Sequence, residues 1–491
     1  MKTEQLLKLK QQIKSIRIDY KLKPLTVGGC VRDELMGKEP KDIDYIVPNS
    51  SHEEMITLGF TQVGESFPVY LHPITKDEYA LPRVEMKEGE GFTGFTTETS
   101  TNGKKVTIEE DLKRRDLTIN AIAYDKRTNT FIDPFNGIQD LKDKILRPVS
   151  DFFVEDPLRF IRLARFAARY PDFNVDYKLF HSLIKDTPNI LKEISELPKE
   201  RVFIELEKVL GEDKPSTFFR VLKKLSILEL NFPYLHNMIH KEQSNTQHAE
   251  GDVFEHSLRS LDQVCKLTKN KVTRFGTLIH DLGKPISYEI TKGTEKHNKE
   301  KYYRHYDLNM LKDELKWFST NKYPSEYIKF AEKGIAFHHT LHSLNEMNYK
   351  SITKLFDKNK LFPKKREEIE QLILVAKSDS FGRIVSNTND TILTKKEVDK
   401  VFENGSFEKN GKKFIKGETV HNVNYEILLD IQDLIKNVNA KEVSKLDSYK
   451  HDNGKVNFNK ILHYLYHEKL NIIKDYLSDR NVSKDKGINL N

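Results

Sequence analysis

The chain has 491 residues, room for about three domains at the usual size of about 150 residues each, so sizeable cores need no disulfide or metal staples. Lys and Arg total 81 against 74 Asp and Glu, a net charge of +7, with 32% of residues charged and 37% hydrophobic; this describes a soluble globular protein and permits, without demanding, a nucleic-acid partner. Only Cys30 and Cys265 occur, which excludes a disulfide framework or a cysteine zinc site and fits a reducing, intracellular compartment. The N-terminus lacks a signal-peptide pattern and no run of about 18 apolar residues exists, so a cytoplasmic protein without a membrane span is expected.

In chain order, Met1 to Lys21 carries Leu6, Leu7, Leu9, Ile13 and Ile16 and reads as a short helix or loose extension (residues 1–24) packing on a neighbouring domain. Residues 25–150 alternate strand and turn. Asp42 to Val47, Val69 to His72, Glu78 to Pro82, Val106 to Ile108 and Thr130 to Ile132 read as strands, interrupted at Gly28-Gly29 and Glu88 to Gly94. From Asp156 onward helical periods take over, at Leu158 to Tyr170, Glu200 to Leu210, Phe254 to Leu267 and Ile352 to Phe356. Polar and Asn-rich seams near Pro148 to Asp151, His236 to Gln247 and Arg383 to Asp390 divide the remainder. The expectation is a mixed α/β head followed by an all-helical neck and body (151–240), a histidine-rich module (241–383) and a helical tail (384–491).

In Val27-Gly28-Gly29-Cys30-Val31-Arg32-Asp33, two glycines follow a strand and open a helix, a turn whose backbone N–H groups can approach a phosphate with Arg32 as counter-charge. Asp42 and Asp44 stand two apart on an apolar strand, so a period of two would point both carboxylates to one face. Like charges that close repel unless a cation lies between them, and Mg2+ suits carboxylates plus triphosphate oxygens; a solvated edge-strand face is the bland alternative. Glu85 is the candidate third carboxylate, against a surface salt bridge. Arg115, in Arg114-Arg115-Asp116-Leu117-Thr118-Ile119-Asn120-Ala121, is placed for triphosphate or sugar, against a plain basic turn.

Gly28-Gly29-Cys30-Val31-Arg32-Asp33, Asp42-Ile43-Asp44, the Arg114 to Ala121 segment and Ile132-Asp133-Pro134-Phe135-Asn136-Gly137, in this order, resemble the class II tRNA nucleotidyltransferase and bacterial poly(A) polymerase family. That resemblance implies a polymerase-β-like head and, in the CCA-adding members, synthesis of the tRNA 3′ end from CTP and ATP without a nucleic-acid template.

Glu155-Asp156-Pro157 starts a helix on which Arg159, Arg162, Arg165 and Arg169 fall within about a third of the circumference, while Phe160, Leu163, Ala164 and Ala167 can dock it. The segment resembles the family's base-selecting motif. Asp156 and Arg159 would then stand in for a templating base, and Arg162 and Arg165 would hold the incoming nucleotide. A carboxylate only accepts and a guanidinium only donates, which matches cytosine and adenine and leaves the carbonyls of guanine and uracil facing an acid. Pro198 to Leu206 matches a further family helix, with Glu200 and Arg201 structural in character.

Nine of the 17 histidines fall between His240 and His342, which points to a metal site. Phe254-Glu255-His256-Ser257-Leu258 and Arg274 to Lys284, containing His280-Asp281, resemble the HD phosphohydrolase superfamily. The resemblance implies one or two divalent metals on His256, His280 and Asp281, with His305, His338 and Asp379 as further ligands; imidazoles favour transition ions such as Ni2+ or Mn2+. His297, His339 and His342 read as ordinary exposed histidines. The order of modules looks like the HD-containing gammaproteobacterial CCA-adding branch, whose HD part hydrolyses 2′,3′-cyclic phosphates, 2′-nucleotides and phosphate esters. The resemblance covers about Leu25 to Arg383, including Glu65 to Pro73 and Gly91 to Thr96.

These readings converge on a CTP(ATP):tRNA nucleotidyltransferase, monomeric or homodimeric, that engages the tRNA acceptor end. The segment Lys87 to Lys105 is expected to move between C and A addition. The competing expectations are a poly(A) polymerase or A-adding enzyme, and an HD phosphohydrolase whose head only binds RNA.

Overall fold

Strands of three or four residues bury too little to stand alone, and they persist here by pairing over long sequence distances. The computed structural model describes residues 2–64, 69–87, 95–98, 100–101, 104–295, 302, 304–388, 391–438 and 458–479, and statements of absence below refer to these. The chain divides into one unit of residues 1–209 and 217–231 and a second of residues 210–216 and 232–491.

In the first unit, α1 (Lys2–Leu22) precedes β1 (Leu25–Val27), α2 (Gly29–Leu35), β2 (Asp44–Ile46), β3 (Thr61–Val63), β4 (Val69–Leu71), β5 (Glu78–Ala80), α3 (Ile108–Lys113), β6 (Ala123–Asp125) and β7 (Thr130–Ile132). The strands form one mixed sheet in the order β7-β6-β1-β2-β5-β4-β3. Only β2 and β5 run parallel, with Asp44 opposite Glu78. Ile18 and Leu22 of α1 join Val47, Met55, Phe60, Tyr70, Tyr79 and Leu81 in one buried cluster, and the Tyr79 hydroxyl donates to Asp19 Oδ1 at 2.8 Å. The ambiguous N-terminal extension is thus a 21-residue helix tied to the sheet. After the sheet come α4 (Leu158–Arg169) and α5 (Lys199–Val209), which pack on each other.

Two expected strands need correction. The strand expected from Asp42 begins at Asp44, because its partner β1 pairs only Leu25 with Ile46 and Thr26 with Tyr45 before Gly28 turns away. Asp42 sits at a bend with nothing to pair against, so strand alternation does not place the two acids on one face. Val106 to Ile108 is not a strand either: Thr107 accepts from Glu110 N while the Glu110 side chain accepts from Thr107 N, a capping box that starts α3 at Ile108 and overrides the β-branched run.

In the second unit, α6 (Val253–Leu267), α7 (Lys271–Leu278), α8 (Ser325–His342) and α9 (Arg366–Gly382) pack on one another. A later helix, α10 (Phe458–Asp479), adds Ile473 and Leu477 to the core of Leu341, Leu344, Ile369 and Leu372. The tail is not purely helical: β8 (Ile384–Ser386), β9 (Ser406–Lys409) and β10 (Lys412–Lys416) form an antiparallel sheet in the order β8-β10-β9. Its hairpin turns at Asn410 (φ 51°) and Gly411 (φ 70°), the pair of positive φ values that a two-residue turn matching strand twist demands. Phe414 is fully buried there with Ile384 and Val401. No helix is long and apolar enough to cross a membrane.

Gly411→Val places a β-branched side chain at positive φ, and a loss of about 1 to 2 kcal/mol is expected, read as a lower urea midpoint; Lys412→Gln beside it should leave the midpoint in place.

Candidate functional site

A cavity of about 590 Å3 in the first unit is lined by Gly28, Gly29 and Asn120, by Leu158 and Phe166, by nine arginines (Arg32, Arg83, Arg114, Arg115, Arg159, Arg162, Arg165, Arg169 and Arg201) and by only three acids (Asp44, Asp116 and Asp156). Such an excess of positive charge in one concave space suits a polyanion of triphosphate size. The expected phosphate turn, Asp44, Arg115 and the whole arginine stripe of α4 therefore meet in one place.

The turn is built for close approach. Gly28 has φ 79°, and a Cβ on it would lie 2.7 Å from Arg115 Nη1, so the Arg115 guanidinium rests against bare backbone. Asp111, fully buried, aims this arginine: Oδ2 accepts from Arg115 Nη2 at 3.2 Å while Oδ1 accepts from Arg114 Nη2 at 2.6 Å. Desolvation pushes the Asp44 carboxyl above the ordinary carboxylate range; Arg115 works against that and the like charge of Asp42 adds to it. A charge on Asp42 close enough to disfavour ionisation of Asp44 fits a divalent cation between the two carboxylates. Glu85 lies on the strand Val84–Lys87, and its side chain is outside the described residues, as are residues 65–68, most of the Gly91 to Thr96 motif and much of Lys87 to Lys105.

Helix α4 holds four arginines along one side because each has its own acid or acceptor. Arg159 Nη1 donates to the Phe152 carbonyl at 2.6 Å. Arg162 donates through Nε and Nη2 to Asp116 Oδ2 at 3.0 and 2.6 Å. Arg165 pairs with the buried Glu205 of α5 and lies over the Phe166 ring, 4.3 Å from its centroid. Arg169 reaches Asp33 Oδ2 at 3.2 Å. Phe160, Leu163, Ala164 and Ala167 are all buried on the docking side.

Asp116, Asn120 and Arg201 were not among the expected site residues, yet they connect it. Asp116 Oδ1 accepts from Asn120 Nδ2 at 2.9 Å, and Asn120 Oδ1 accepts from Arg32 Nη1, so the phosphate turn and α4 share one hydrogen-bonded chain. Burial would raise the Asp116 carboxyl, but Arg162, Asn120 and the Leu117 N–H hold it well below the carboxylate range. Arg201 Nη2 lies 3.1 Å from Asp156 Oδ2, so the arginine read as structural occupies the acid expected to read a base. The clue in the sequence was Asp116 and Asn120 standing four apart after two arginines.

A second constellation lies within the helices of the second unit. His256 comes from α6, His280 and Asp281 from the turn after α7, His338 from α8, Asp379 from α9, and His305 from the segment before residue 308. All are buried. Each ring has its Nδ1 committed: His256 to Glu250 Oε1 at 2.8 Å, His280 to the Thr277 carbonyl at 2.7 Å, His305 to the Tyr302 carbonyl at 2.9 Å and His338 to the Gly334 carbonyl at 3.0 Å. A carbonyl can only accept, so in His280, His305 and His338 Nδ1 carries the proton and the Nε2 lone pair faces inward. These inward atoms sit around Asp281, with His280 and His256 Nε2 at 3.3 and 3.7 Å from Oδ2 and His305 and His338 Nε2 both 3.7 Å from Oδ1.

That arrangement tests whether a cation fits. His280 Nε2 and both Asp281 oxygens have no hydrogen bond of acceptable geometry, although Lys284 Nζ lies 2.7 Å from Asp281 Oδ2. Lone pairs converging on a buried carboxylate repel unless positive charge lies among them. The geometry therefore fits one or two divalent ions, with Asp281 presenting one oxygen to each pair of rings. Burial keeps His305 neutral at physiological pH, its pKa pushed down to about 4, so it is ready to act as a ligand. A Cβ on Gly283 would lie 1.8 Å from the His305 carbonyl, so only glycine lets that segment approach.

His342 requires a correction. It is not exposed; its Nε2 bonds Asp379 Oδ2, which Arg383 Nη2 also reaches at 2.6 Å, and α8 places it one turn beyond His338. His339 is exposed as expected, and His297 lies outside the described residues. Glu250 and His248 were also missed: Glu250 orients His256 and accepts the Ile384 N–H at 2.7 Å, which ties β8 to the constellation.

Asp116→Ala leaves Arg162 and Asn120 without their shared acceptor. A loss of about 3 kcal/mol in urea unfolding is expected, whereas Asp172→Ala, which breaks an exposed pair with Lys144, should cost under about 1 kcal/mol.

Residues 25–147 match the family model described as "Poly A polymerase head domain" and residues 172–239 match "Probable RNA and SrmB- binding site of polymerase A". A multifunctional CCA protein of Shewanella frigidimarina is 40% identical over 370 residues, covering 74% of this chain and 84% of that protein. One of Mannheimia succiniciproducens is 39% identical over 369 residues, covering 73% and 83%. A solved CCA-adding enzyme in complex with ATP shares the fold with a TM-score of 0.51 at 18% identity, over 96% of this chain and 93% of that one. The mixed-sheet head, the helical remainder and 40% identity over most of a relative's length together show that the chain belongs to the tRNA nucleotidyltransferase and poly(A) polymerase family, among the multifunctional CCA proteins.

Proposed function

We propose that the chain adds or repairs the 3′-terminal CCA of tRNA from CTP and ATP, and that its histidine constellation is a second, metal-dependent phosphohydrolase centre. The observation that carries the first part is the cavity where nine arginines face Asp44 and the Gly28-Gly29 turn.

In this reading the Gly29 end of α2, Arg32 and Arg115 take the triphosphate. When bound, Mg2+ on Asp42 and Asp44 supplies Lewis-acid polarisation at the α-phosphate. The Asp116-Asn120-Arg32 chain fixes the distance between the turn and α4, so positioning rather than covalent chemistry lowers the barrier. Asp156 accepts from the amino group of cytosine or adenine while Arg159 donates to the ring acceptors. A carbonyl opposite Asp156 leaves two acceptors unpaired, at about 1 to 3 kcal/mol, which disfavours guanine and uracil. RNA is held through phosphate and 2′-hydroxyl groups.

For the second centre, His256, His280, Asp281 and Asp379 would hold one ion and His305 and His338 would join Asp281 for another; Ni2+ and Mn2+ match this donor set. Its substrates would be 2′,3′-cyclic phosphates, 2′-nucleotides or phosphate esters. Lys284, beside Asp281, would offset charge on a phosphoryl group.

With tRNA lacking CCA and CTP alone, two cytidylates should be added. Failure to add C while A is added would make this a poly(A) or A-adding enzyme. Asp44→Ala should cut addition by about a thousandfold without lowering the melting temperature; addition that survives would remove the head from the chemistry.

Saturating Ni2+ or Mn2+ on chelator-treated protein should raise stability by about 2.7 kcal/mol at a hundredfold excess over Kd. The gain should vanish in Asp281→Asn. A stability curve indifferent to both ions would sink the second centre.

A further inference from the structure

The family match begins at residue 25, so α1 stands outside it, and its outward half is unusual for a helix packed on one side. Ile18 and Leu22 are buried at 6% and 5% exposure, whereas Ile13, Ile16 and Tyr20 are 43%, 66% and 80% exposed. At about 100° per residue, Ile13, Ile16 and Tyr20 share an arc of about 60°, and Arg17, Lys21 and Lys14 occupy the next arc of about 60°, between the apolar strip and the buried face. All three basic residues are exposed. The described acid of the helix, Asp19, turns inward to the Tyr79 hydroxyl, and Glu54, 3.2 Å from Lys21, is the acid facing the row from a neighbouring helix.

We propose that this face of α1 is an accessory RNA-binding surface that takes a stretch of the tRNA backbone. The inference rests on the tRNA reading above. Arg17, Lys14 and Lys21 would pair with phosphates, and the seven-residue rise from Lys14 to Lys21, about 10 Å, brackets more than one of them. Tyr20, nearly free of protein contact, offers a ring for a base or ribose, with Ile13 and Ile16 beside it. Charge decides among occupants. A second copy would bring its own row of cations against this one, whereas a polyphosphate complements it.

The test uses the full chain and tRNA lacking CCA, with binding followed by fluorescence anisotropy across a KCl series and cytidylate addition measured in parallel. Lys14→Gln with Arg17→Gln should weaken binding about fivefold or more and flatten the log Kd against log salt slope by about 1 to 2. KM for tRNA should rise with it while kcat stays unchanged. Ile16→Ser with Tyr20→Ser should weaken binding while keeping the slope. Wild-type binding by both double variants, with addition intact, would overturn the surface and leave the function standing. So would a switch from dimer to monomer with unchanged tRNA affinity, which would make the face a contact between copies. A wild-type chain that neither binds nor extends tRNA would overturn the function and this surface with it.

Discussion

Nine guanidinium groups around one cavity repel one another, and the head is organised around keeping them there. Five of them are held by acids that are themselves fixed: Asp111 for Arg114 and Arg115, Asp116 for Arg162, Glu205 for Arg165, Asp33 for Arg169. Asp111, Asp116 and Glu205 are buried, where a carboxylate survives only if paired and hydrogen-bonded. The acids under the arginines are therefore as much a part of the site as the arginines, although of the four only Asp116 reaches the cavity wall. Arginine suits this duty because one edge of its planar fork can engage the supporting acid while another stays turned to the cavity.

The second constellation solves the converse problem. There the surplus is of lone pairs, and the backbone fixes them. Three carbonyls take the Nδ1 protons of His280, His305 and His338, which leaves the Nε2 lone pairs of these rings no orientation but inward. Asp281 accepts no well-formed hydrogen bond within this ring of imidazoles, whereas Asp379 is crowded by His256, His342 and Arg383. The two acids thus sit in different surroundings: Asp281 has Lys284 and the ring nitrogens about it, whereas Asp379 links His256 of α6, His342 of α8 and Arg383.

The motifs that were legible in sequence were those whose spacing survives folding. Gly28-Gly29, the α4 arginines at helical intervals and His280-Asp281 need only local geometry, and each lies where its pattern put it. What escaped notice depended on competition between local rules or on distant partners. The Thr107 to Glu110 capping box outcompeted a β-branched run. Asp42 fell off its strand because the partner strand ended first. The Asn410-Gly411 hairpin was a local turn pattern within a tail read as helical. Asp116, Glu250 and His342 draw their importance from residues 46, 6 and 37 positions away, and separations of that kind leave no periodic trace.

The partners that Asp156 and Arg159 already have set the terms on which, under the proposed reading, a base would be selected. Asp156 leans on Arg201, and Arg159 on the Phe152 carbonyl, so neither is an unsatisfied group waiting for any ligand. Under the proposed reading, a base that offers an amino group to Asp156 and acceptors to Arg159 exchanges one set of hydrogen bonds for another at little net cost, because net hydrogen-bond energies are only about 1 kcal/mol each. A base with a carbonyl in the amino position must break an existing contact and leave an acceptor pair behind, and nothing offsets that. Selectivity then comes less from attraction to the right base than from the price of displacing resident partners for the wrong one.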